Sequence, residues 1–178
     1  MASSAAGVGN GNIWVNQNVT IKKVAGIQNQ IRGVDVSSYP ALMKAGVKFY
    51  DAKGNQVNLF KALKDAGVSH VRLRLWNDPY NAKNQPYGAG DDNLTNVVEM
   101  AREANANGLK VLLDFHYSDF WADPAKQTLP KAWKNLSNTA LQQAYYNYTA
   151  QAVTTMAKNG IVLDSVQIGN EITDGMPG

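Results

Sequence analysis

The segment Leu163-Asp164-Ser165-Val166-Gln167-Ile168-Gly169-Asn170-Glu171 is a short apolar stretch that stops abruptly at an amide and a carboxylate. It predicts a buried parallel strand with Glu171 at its C-terminal end. In parallel α/β folds the ligand crevice lies at the carboxyl ends of the strands, so a glutamate there can reach a substrate while its strand holds it in place. Glu171 is therefore the first catalytic candidate, and the alternative is a solvated glutamate at a strand end.

The rest of the chain repeats this kind of segment at regular intervals. Helical patterns separate the apolar stretches, and each helix is expected to end at a glycine that takes the left-handed C-terminal position. The predicted strands are residues 31–37, 69–76, 109–117 and 163–171. The predicted helices are residues 58–66, residues 94–106 and a third that carries Leu141, Tyr145, Tyr148, Ala152 and Met156 on one face, with Ser137 or Asn138 as its cap. Gly67, Gly108 and Gly160 are the three predicted C-terminal glycines.

Along each of these strands the polar residues occupy alternate positions, so their side chains face the same side of the sheet. The set is Asp35 and Ser37, Arg72, Arg74 and Trp76, Asp114 and His116, and Gln167, Gly169 and Glu171. A sheet covered by helices on both faces should be apolar on both parities, so the pattern favours a closed barrel with a polar interior. We therefore predict an α/β fold, the first half of a (β/α)8 TIM barrel, with four parallel strands and intervening helices. Within it, Asp35 and Asp114 are interpreted as ion partners of the neighbouring arginines.

Composition removes several other classes of function. The 178 residues carry 17 Lys and Arg against 14 Asp and Glu without a basic run, which disfavours nucleic acid as a partner. No apolar run reaches the roughly 18 to 20 residues of a membrane span. The absence of cysteine excludes thiolate chemistry and disulfides. Neither a phosphate-binding glycine loop nor a Gly-x-Ser-x-Gly motif occurs, which argues against nucleotide cofactors and serine hydrolases.

A metal site is also disfavoured. The two histidines, His70 and His116, are expected at opposite ends of the barrel and cannot form a shared ligand pair. The run Asp91-Asp92-Asn93 could offer oxygen ligands to calcium, but a capping turn before a helix is the favoured interpretation. What remains is carboxylate chemistry beside the aromatic residues of two long loops, residues 77–93 and 118–136, a combination typical of a carbohydrate groove.

Several motifs in order resemble the arabinogalactan endo-β-1,4-galactanases, which are retaining glycoside hydrolases with a (β/α)8 fold. The resemblance covers about residues 31–175. Its motifs are Gly33-Val34-Asp35-Val36-Ser37-Ser38, Val71-Arg72-Leu73-Arg74-Leu75-Trp76-Asn77-Asp78-Pro79, Asp114-Phe115-His116-Tyr117-Ser118-Asp119, Trp121-Ala122-Asp123-Pro124, then Gln127, Pro130 and Trp133, then Tyr146-Asn147-Tyr148-Thr149 and Ile168-Gly169-Asn170-Glu171-Ile172.

The resemblance implies a role for each candidate site residue. Glu171 would be the general acid/base, Asn170 would hold the 2-hydroxyl of the sugar, and either Arg72 or Arg74 would orient the nucleophile. The residues implied to line the substrate groove are Trp76, His116, Asp119, Trp121 and Trp133, and Asp35 is a further substrate-binding candidate.

The family's nucleophile is a second glutamate at the end of the seventh strand, beyond the four strands found here. We therefore expect this polypeptide alone to be inactive, and any calcium requirement to reside in the C-terminal half of the barrel. We also expect self-association through the open edges of a half barrel. The expected organisation is a disordered tail or cloning remnant in residues 1–12, an extended arm or the end of a preceding module in residues 13–30, and the half barrel in residues 31–178.

The resemblance also implies a substrate and a location. The substrate would be β-1,4-galactan, the galactan side chains of pectin, and the protein would be secreted or at the cell surface. The alternatives are a non-catalytic carbohydrate-binding half barrel and a related retaining glycosidase with a different sugar preference.

Overall fold

The computed structural model describes residues 30–178 and, by backbone alone, residues 8–9 and 12–13. The chain divides into two units, residues 1–30 and residues 31–178. In the first, β1 (Val8–Gly9) pairs antiparallel with β2 (Asn12–Ile13). The predictions for residues 1–12 and 13–30 otherwise lie outside the described residues and stay predictions.

The second unit alternates strands with helices. Its elements in chain order are β3 (Gly33–Asp35), α1 (Tyr39–Lys44), β4 (Phe49–Tyr50), β5 (Gln56–Val57), α2 (Leu59–Asp65), β6 (His70–Leu75), α3 (Leu94–Ala106), β7 (Lys110–Phe115), α4 (Asn138–Lys158) and β8 (Leu163–Ile168). The sheet has the order β3-β6-β7-β8, and every pair in it is parallel. These four parallel strands with intervening helices confirm the predicted half barrel.

The predicted helix ends are confirmed. Gly67, Gly108 and Gly160 have φ values of +89°, +71° and +69°. After each glycine, the next backbone N–H returns to a carbonyl in the last turn of the helix, as in the bond from Val68 to Leu63 at 2.9 Å. At the start of α4 the Ser137 side chain accepts a hydrogen bond from the Ala140 N–H, which identifies Ser137 as the cap.

Three small elements escaped the sequence patterns. Helix α1 has only six residues, and β4 and β5 have two each, so none is long enough to show periodicity. The local signals are Pro40 in the first turn of α1 and Asp51, whose carboxylate accepts hydrogen bonds from the backbone of Lys53 and Asn55 in the hairpin turn.

Only some of the apolar strand residues that face the helices lie in the hydrophobic core. Helix α3 packs on β6 and β7, and the apolar residues of those two strands, such as Leu73 and Phe115, are fully buried. On β8, by contrast, Val166 and Ile168 remain 45% and 48% exposed, and no helix follows that strand within residues 30–178. No helix in the described part of the chain is both long and apolar enough to cross a membrane.

Candidate active site

Arg72 is the centre of a polar cluster at the carboxyl ends of the strands. Its guanidinium donates to Asp35 Oδ2 at 2.7 Å, to Asp114 Oδ2 at 2.6 Å and to Asn170 Oδ1 at 2.7 Å. Asp35 belongs to β3 and Asp114 to β7, while Asn170 follows β8, so one side chain ties together all four strands of the sheet. The predicted ion pairs of Asp35 and Asp114 are confirmed, and both involve Arg72.

Asn170 is held on every side. Only 7% of the residue is exposed, and its Nδ2 donates to the Ala122 carbonyl at 2.7 Å. The side-chain amide of Gln127 donates to the backbone oxygen of Asn170 at 2.9 Å, so the loop after β7 is fastened to the end of β8. Asn170 is therefore a rigid group whose position depends on Arg72 and on this loop.

Glu171, in contrast, is exposed and its carboxylate makes no hydrogen bond with any described residue. Its φ is +52°, a left-handed conformation that costs energy for a residue other than glycine. Gly169, two residues earlier, has a φ of +86°, and a Cβ atom there would overlap the Ile172 side chain. The chain thus turns sharply after β8 and exposes the Glu171 carboxylate to solvent. Its backbone is strained at this residue, as is common at functional sites.

Arg74, the other candidate arginine, is occupied elsewhere. It is 5% exposed, its Nε lies 3.0 Å from Asp92 Oδ2, and its Nη2 donates to the Ala89 carbonyl at 2.6 Å. The guanidinium carbon also sits 4.2 Å from the centre of the Trp121 ring, a cation–π contact. Of the two arginines, Arg72 is therefore the one next to Asn170, and Arg74 supports Trp121.

The loop before α3 supplies the partner of Arg74. Asp92 is fully buried, and this burial raises its pKa to about 7 although Arg74 favours the ionised form. Gly90 has a φ of +124°, and a Cβ at that position would overlap both the Ser37 carbonyl and the Asp92 carboxylate. Asn93 caps α3 by accepting from the Asn96 N–H, which confirms the capping interpretation of this acidic run. The described residues contain no group of three or more His, Asp or Glu arranged to hold a metal ion.

The structure corrects the expectation that Trp76 and His116 line a groove. Both are fully buried, and the indole Nε1 of Trp76 donates to His116 Nδ1 at 3.1 Å. The Ala122 N–H donates to the same nitrogen at 3.3 Å, so Nδ1 is a hydrogen-bond acceptor, and Nε2 lies 3.0 Å from Asp114 Oδ2. These side chains pack behind Trp121, whose ring meets Trp76 edge to face at 5.6 Å. Strand parity indicated their direction but not the depth at which the loop covers them.

A groove of about 460 Å³ opens between the two long loops. Tyr87 and Trp121, which are 43% and 39% exposed, contribute its aromatic surface. Asp119 also lines the groove, but its carboxylate accepts hydrogen bonds from the backbone N–H groups of Asp78 and Lys131 at 3.1 and 2.8 Å. Asp119 therefore fastens the loops that form the groove. Tyr87, Phe120 and the lysines of this groove were not among the sequence-derived candidates, although the aromatic content of the loops was the available signal.

Trp133, predicted to line the substrate groove, is not among the residues that line the groove between the two long loops. Its ring packs edge to face against Tyr145 and Tyr148 of α4, with centroid distances of 5.0 and 5.9 Å. The loop makes a turn here, in which the Trp133 N–H donates to the Pro130 carbonyl at 2.8 Å. Trp133 therefore anchors the loop to helix α4.

The opposite end of the sheet carries a separate polar group. His70 Nε2 lies 3.3 Å from Asp164 Oδ2, and Lys110 Nζ lies 2.8 Å from Asp164 Oδ1. These residues stand at or near the first positions of β6, β7 and β8. The prediction that His70 and His116 lie at opposite ends of the barrel is confirmed.

Comparison with known proteins gives a consistent result. The family model described as Glycosyl hydrolase family 53 matches residues 31–178. The endo-beta-1,4-galactanase of Bacillus subtilis (strain 168) is 48% identical over 163 residues, which are 91% of this chain and 38% of that protein. The arabinogalactan endo-beta-1,4-galactanase of Humicola insolens is 41% identical, over 83% of this chain and 42% of its own length.

Solved structures agree with the fold. The Ignisphaera aggregans GH53 catalytic domain superposes with a TM-score of 0.86 at 48% identity, covering 89% of this chain and 44% of that one. A chain from a study of two fungal beta-1,4-galactanases gives a TM-score of 0.74 at 41% identity, over 83% of this chain and 42% of that chain. The chain therefore spans less than half the length of the relatives it matches.

Proposed function

Because this chain belongs to glycosyl hydrolase family 53, we propose that it forms the acid/base half of an endo-β-1,4-galactanase. The complete protein would hydrolyse internal β-1,4 bonds of galactan with retention of configuration at the anomeric carbon. The substrate would be the galactan side chains of pectin, and such a polymeric substrate favours a protein that is secreted or held at the cell surface.

In this mechanism Glu171 acts twice. As an acid it protonates the leaving glycosidic oxygen while a second glutamate, contributed by the other half of the barrel and with its carboxyl group about 5 to 5.5 Å from that of Glu171, attacks the anomeric carbon. As a base it then removes a proton from the water that hydrolyses the glycosyl-enzyme intermediate. The exposure of Glu171 at the end of β8 suits a group that must meet both a sugar and a water molecule.

Asn170 and Arg72 prepare the site for that chemistry. The Asn170 amide is fixed by hydrogen bonds to both of its side-chain heavy atoms, so it can offer a preset contact to the sugar's 2-hydroxyl. Arg72 places a permanent positive charge beside this position, and that charge would keep a nearby nucleophilic carboxylate ionised. The observation that carries the proposal is the 2.7 Å contact between Arg72 and Asn170, directly before the exposed Glu171.

The proposal is tested on a polypeptide that joins residues 31–178 to the remaining strands of the barrel, either a native continuation or a graft from the Bacillus subtilis relative. Incubation with β-1,4-galactan should release galacto-oligosaccharides whose new reducing ends appear first as the β anomer in proton NMR. Initial release of the α anomer would contradict the retaining mechanism. Binding of galactan without hydrolysis would favour the non-catalytic alternative, and preferred cleavage of another glycan would favour a related glycosidase.

A further inference from the structure

The groove between the two long loops is basic as well as aromatic. Three lysines line it, Lys126, Lys131 and Lys134, against a single carboxylate, that of Asp119. Both oxygens of that carboxylate already accept backbone hydrogen bonds. The groove therefore has an excess of positive charge that its own walls do not neutralise.

The three lysines differ in how they are used. Lys131 Nζ lies 2.7 Å from Asp78 Oδ2 and 3.4 Å from Asp119 Oδ2, so it joins the two loops. Lys126 and Lys134 are exposed, and neither has a carboxylate within 4.0 Å among residues 30–178. These two ammonium groups are free to receive an anion from outside the chain.

Beside them stands a surface suited to a pyranose ring. Trp121 and Tyr87 are partly exposed and border the groove, and Phe120 packs between them, with ring centroids 6.4 Å from Trp121 and 5.4 Å from Tyr87. Arg74 holds Trp121 from behind, so the indole is already fixed before any ligand arrives. Aromatic faces bind the apolar faces of sugars, while ammonium groups bind carboxylates.

One loop of the groove is also tied to the chain segment that carries the candidate catalytic carboxylate. Gln127, which lies between the groove residues Lys126 and Thr128, donates through its side-chain amide to the backbone oxygens of Asn170 and Glu171 at 2.9 and 3.4 Å. The loop that walls the groove is therefore hydrogen-bonded to the strand end that carries Glu171.

We propose that this groove is a binding site for a carboxylate-bearing saccharide, a uronic acid unit, held by the Trp121 and Tyr87 rings and by Lys126 and Lys134. The inference deepens the proposed function and rests on it in one respect, since it places an acidic sugar next to the site where a neutral galactan is cleaved. The enzyme would then favour galactan that is still attached to an acidic polysaccharide over free neutral galactan.

The test measures binding rather than hydrolysis, so its failure is distinct from a failure of the proposed function. The 178-residue chain is titrated with tetragalacturonate and with neutral β-1,4-galactotetraose, with calorimetry and tryptophan fluorescence as readouts. Tetragalacturonate should bind at least about tenfold more tightly than the neutral sugar at low salt, and this advantage should shrink as the ionic strength rises to about 0.2 M.

A matched pair of variants tests the site itself. The double variant K126Q/K134Q should lose about tenfold in affinity for tetragalacturonate and keep its affinity for galactotetraose. The control K53Q/K158Q makes the same change in net charge at two exposed lysines outside the groove and should bind like the unmodified chain. Equal losses in the two double variants, or binding of tetraglutamate as tightly as tetragalacturonate, would reduce the effect to the general charge of the chain and overturn the proposal. Binding of galactotetraose as tightly as tetragalacturonate at low salt would overturn it as well.

Discussion

Arg72 and Asn170 are joined by a 2.7 Å hydrogen bond that links β6 to the end of β8, two strands that are not neighbours in the sheet. The bond crosses over β7, and on that strand Arg72 also contacts the fully buried Asp114. One arginine therefore both neutralises a buried carboxylate and positions the amide that precedes Glu171. Stability and site geometry depend on the same side chain.

Replacing Arg72 should accordingly cost more than the loss of a surface charge. In Arg72→Lys a single ammonium replaces the planar guanidinium and cannot reach Asp35, Asp114 and Asn170 together, so the buried Asp114 loses its guanidinium partner. We expect the free energy of unfolding to fall by about 2–4 kcal/mol, measured by urea denaturation followed by circular dichroism. The control K61Q removes an exposed pair with Asp65 and should cost below about 0.5 kcal/mol. If the two variants prove equally stable, Arg72 does not hold the strand ends together.

Asp92 should make stability depend on pH. Burial raises its pKa from 3.8 to about 7 in the folded chain, so between about pH 4 and 7 the folded state binds more protons than the unfolded state. The free energy of unfolding contributed by this group is therefore highest below pH 4 and is lost as the pH rises through 7. Urea denaturation at pH 5 and pH 8 should show a decrease that is smaller in Asp92→Asn. An unchanged decrease in D92N, with exposed D65N as the reference, would mean that Asp92 is ionised throughout.

The two loop tryptophans should separate binding from stability. Trp121→Leu removes aromatic surface from the groove but keeps an apolar side chain against Trp76, so it should weaken saccharide binding at least about tenfold and lower the free energy of unfolding less than Trp133→Ala does. Trp133→Ala removes a ring packed against Tyr145 and Tyr148 and should lower the free energy of unfolding by about 2–4 kcal/mol while binding is retained. Titration and urea denaturation of both variants check this, and a reversal of the two effects would place Trp133 in the groove.

The outer face of β8 should make the isolated chain associate. Val166 and Ile168 are about half exposed, and β8 is an edge of the four-stranded sheet. Sedimentation velocity should show dimers or larger species that V166E/I168E converts largely to monomer, whereas E99Q should not. A well-behaved monomer of the unmodified chain would contradict this expectation. The same preparation should release no oligosaccharides from β-1,4-galactan.

Much of this arrangement was predictable because strand parity and glycine-terminated helices are local signals. The four strands of the parallel sheet, the helices α2, α3 and α4, and the pairing of Asp35 and Asp114 with a neighbouring arginine followed from those signals. The depth of Trp76 and His116 did not, because it depends on how the loop after β7 folds back through Ala122. Strand parity likewise predicted that Arg72 and Arg74 point to the same side of the sheet. It could not show that Arg74 pairs with Asp92, because that contact depends on the tight loop around Gly90.

The most direct test of the account is the effect of Glu171→Gln in the polypeptide that joins residues 31–178 to the remaining strands. The expected result is a loss of about 10² to 10⁴-fold in kcat on galactan, with a smaller loss in the bond-cleaving step for an aryl galactobioside whose leaving group needs no protonation. Glu99→Gln, at an exposed position on α3, should leave both rates unchanged. Hydrolysis of galactan by E171Q within tenfold of the parent rate would show that Glu171 is not the acid/base.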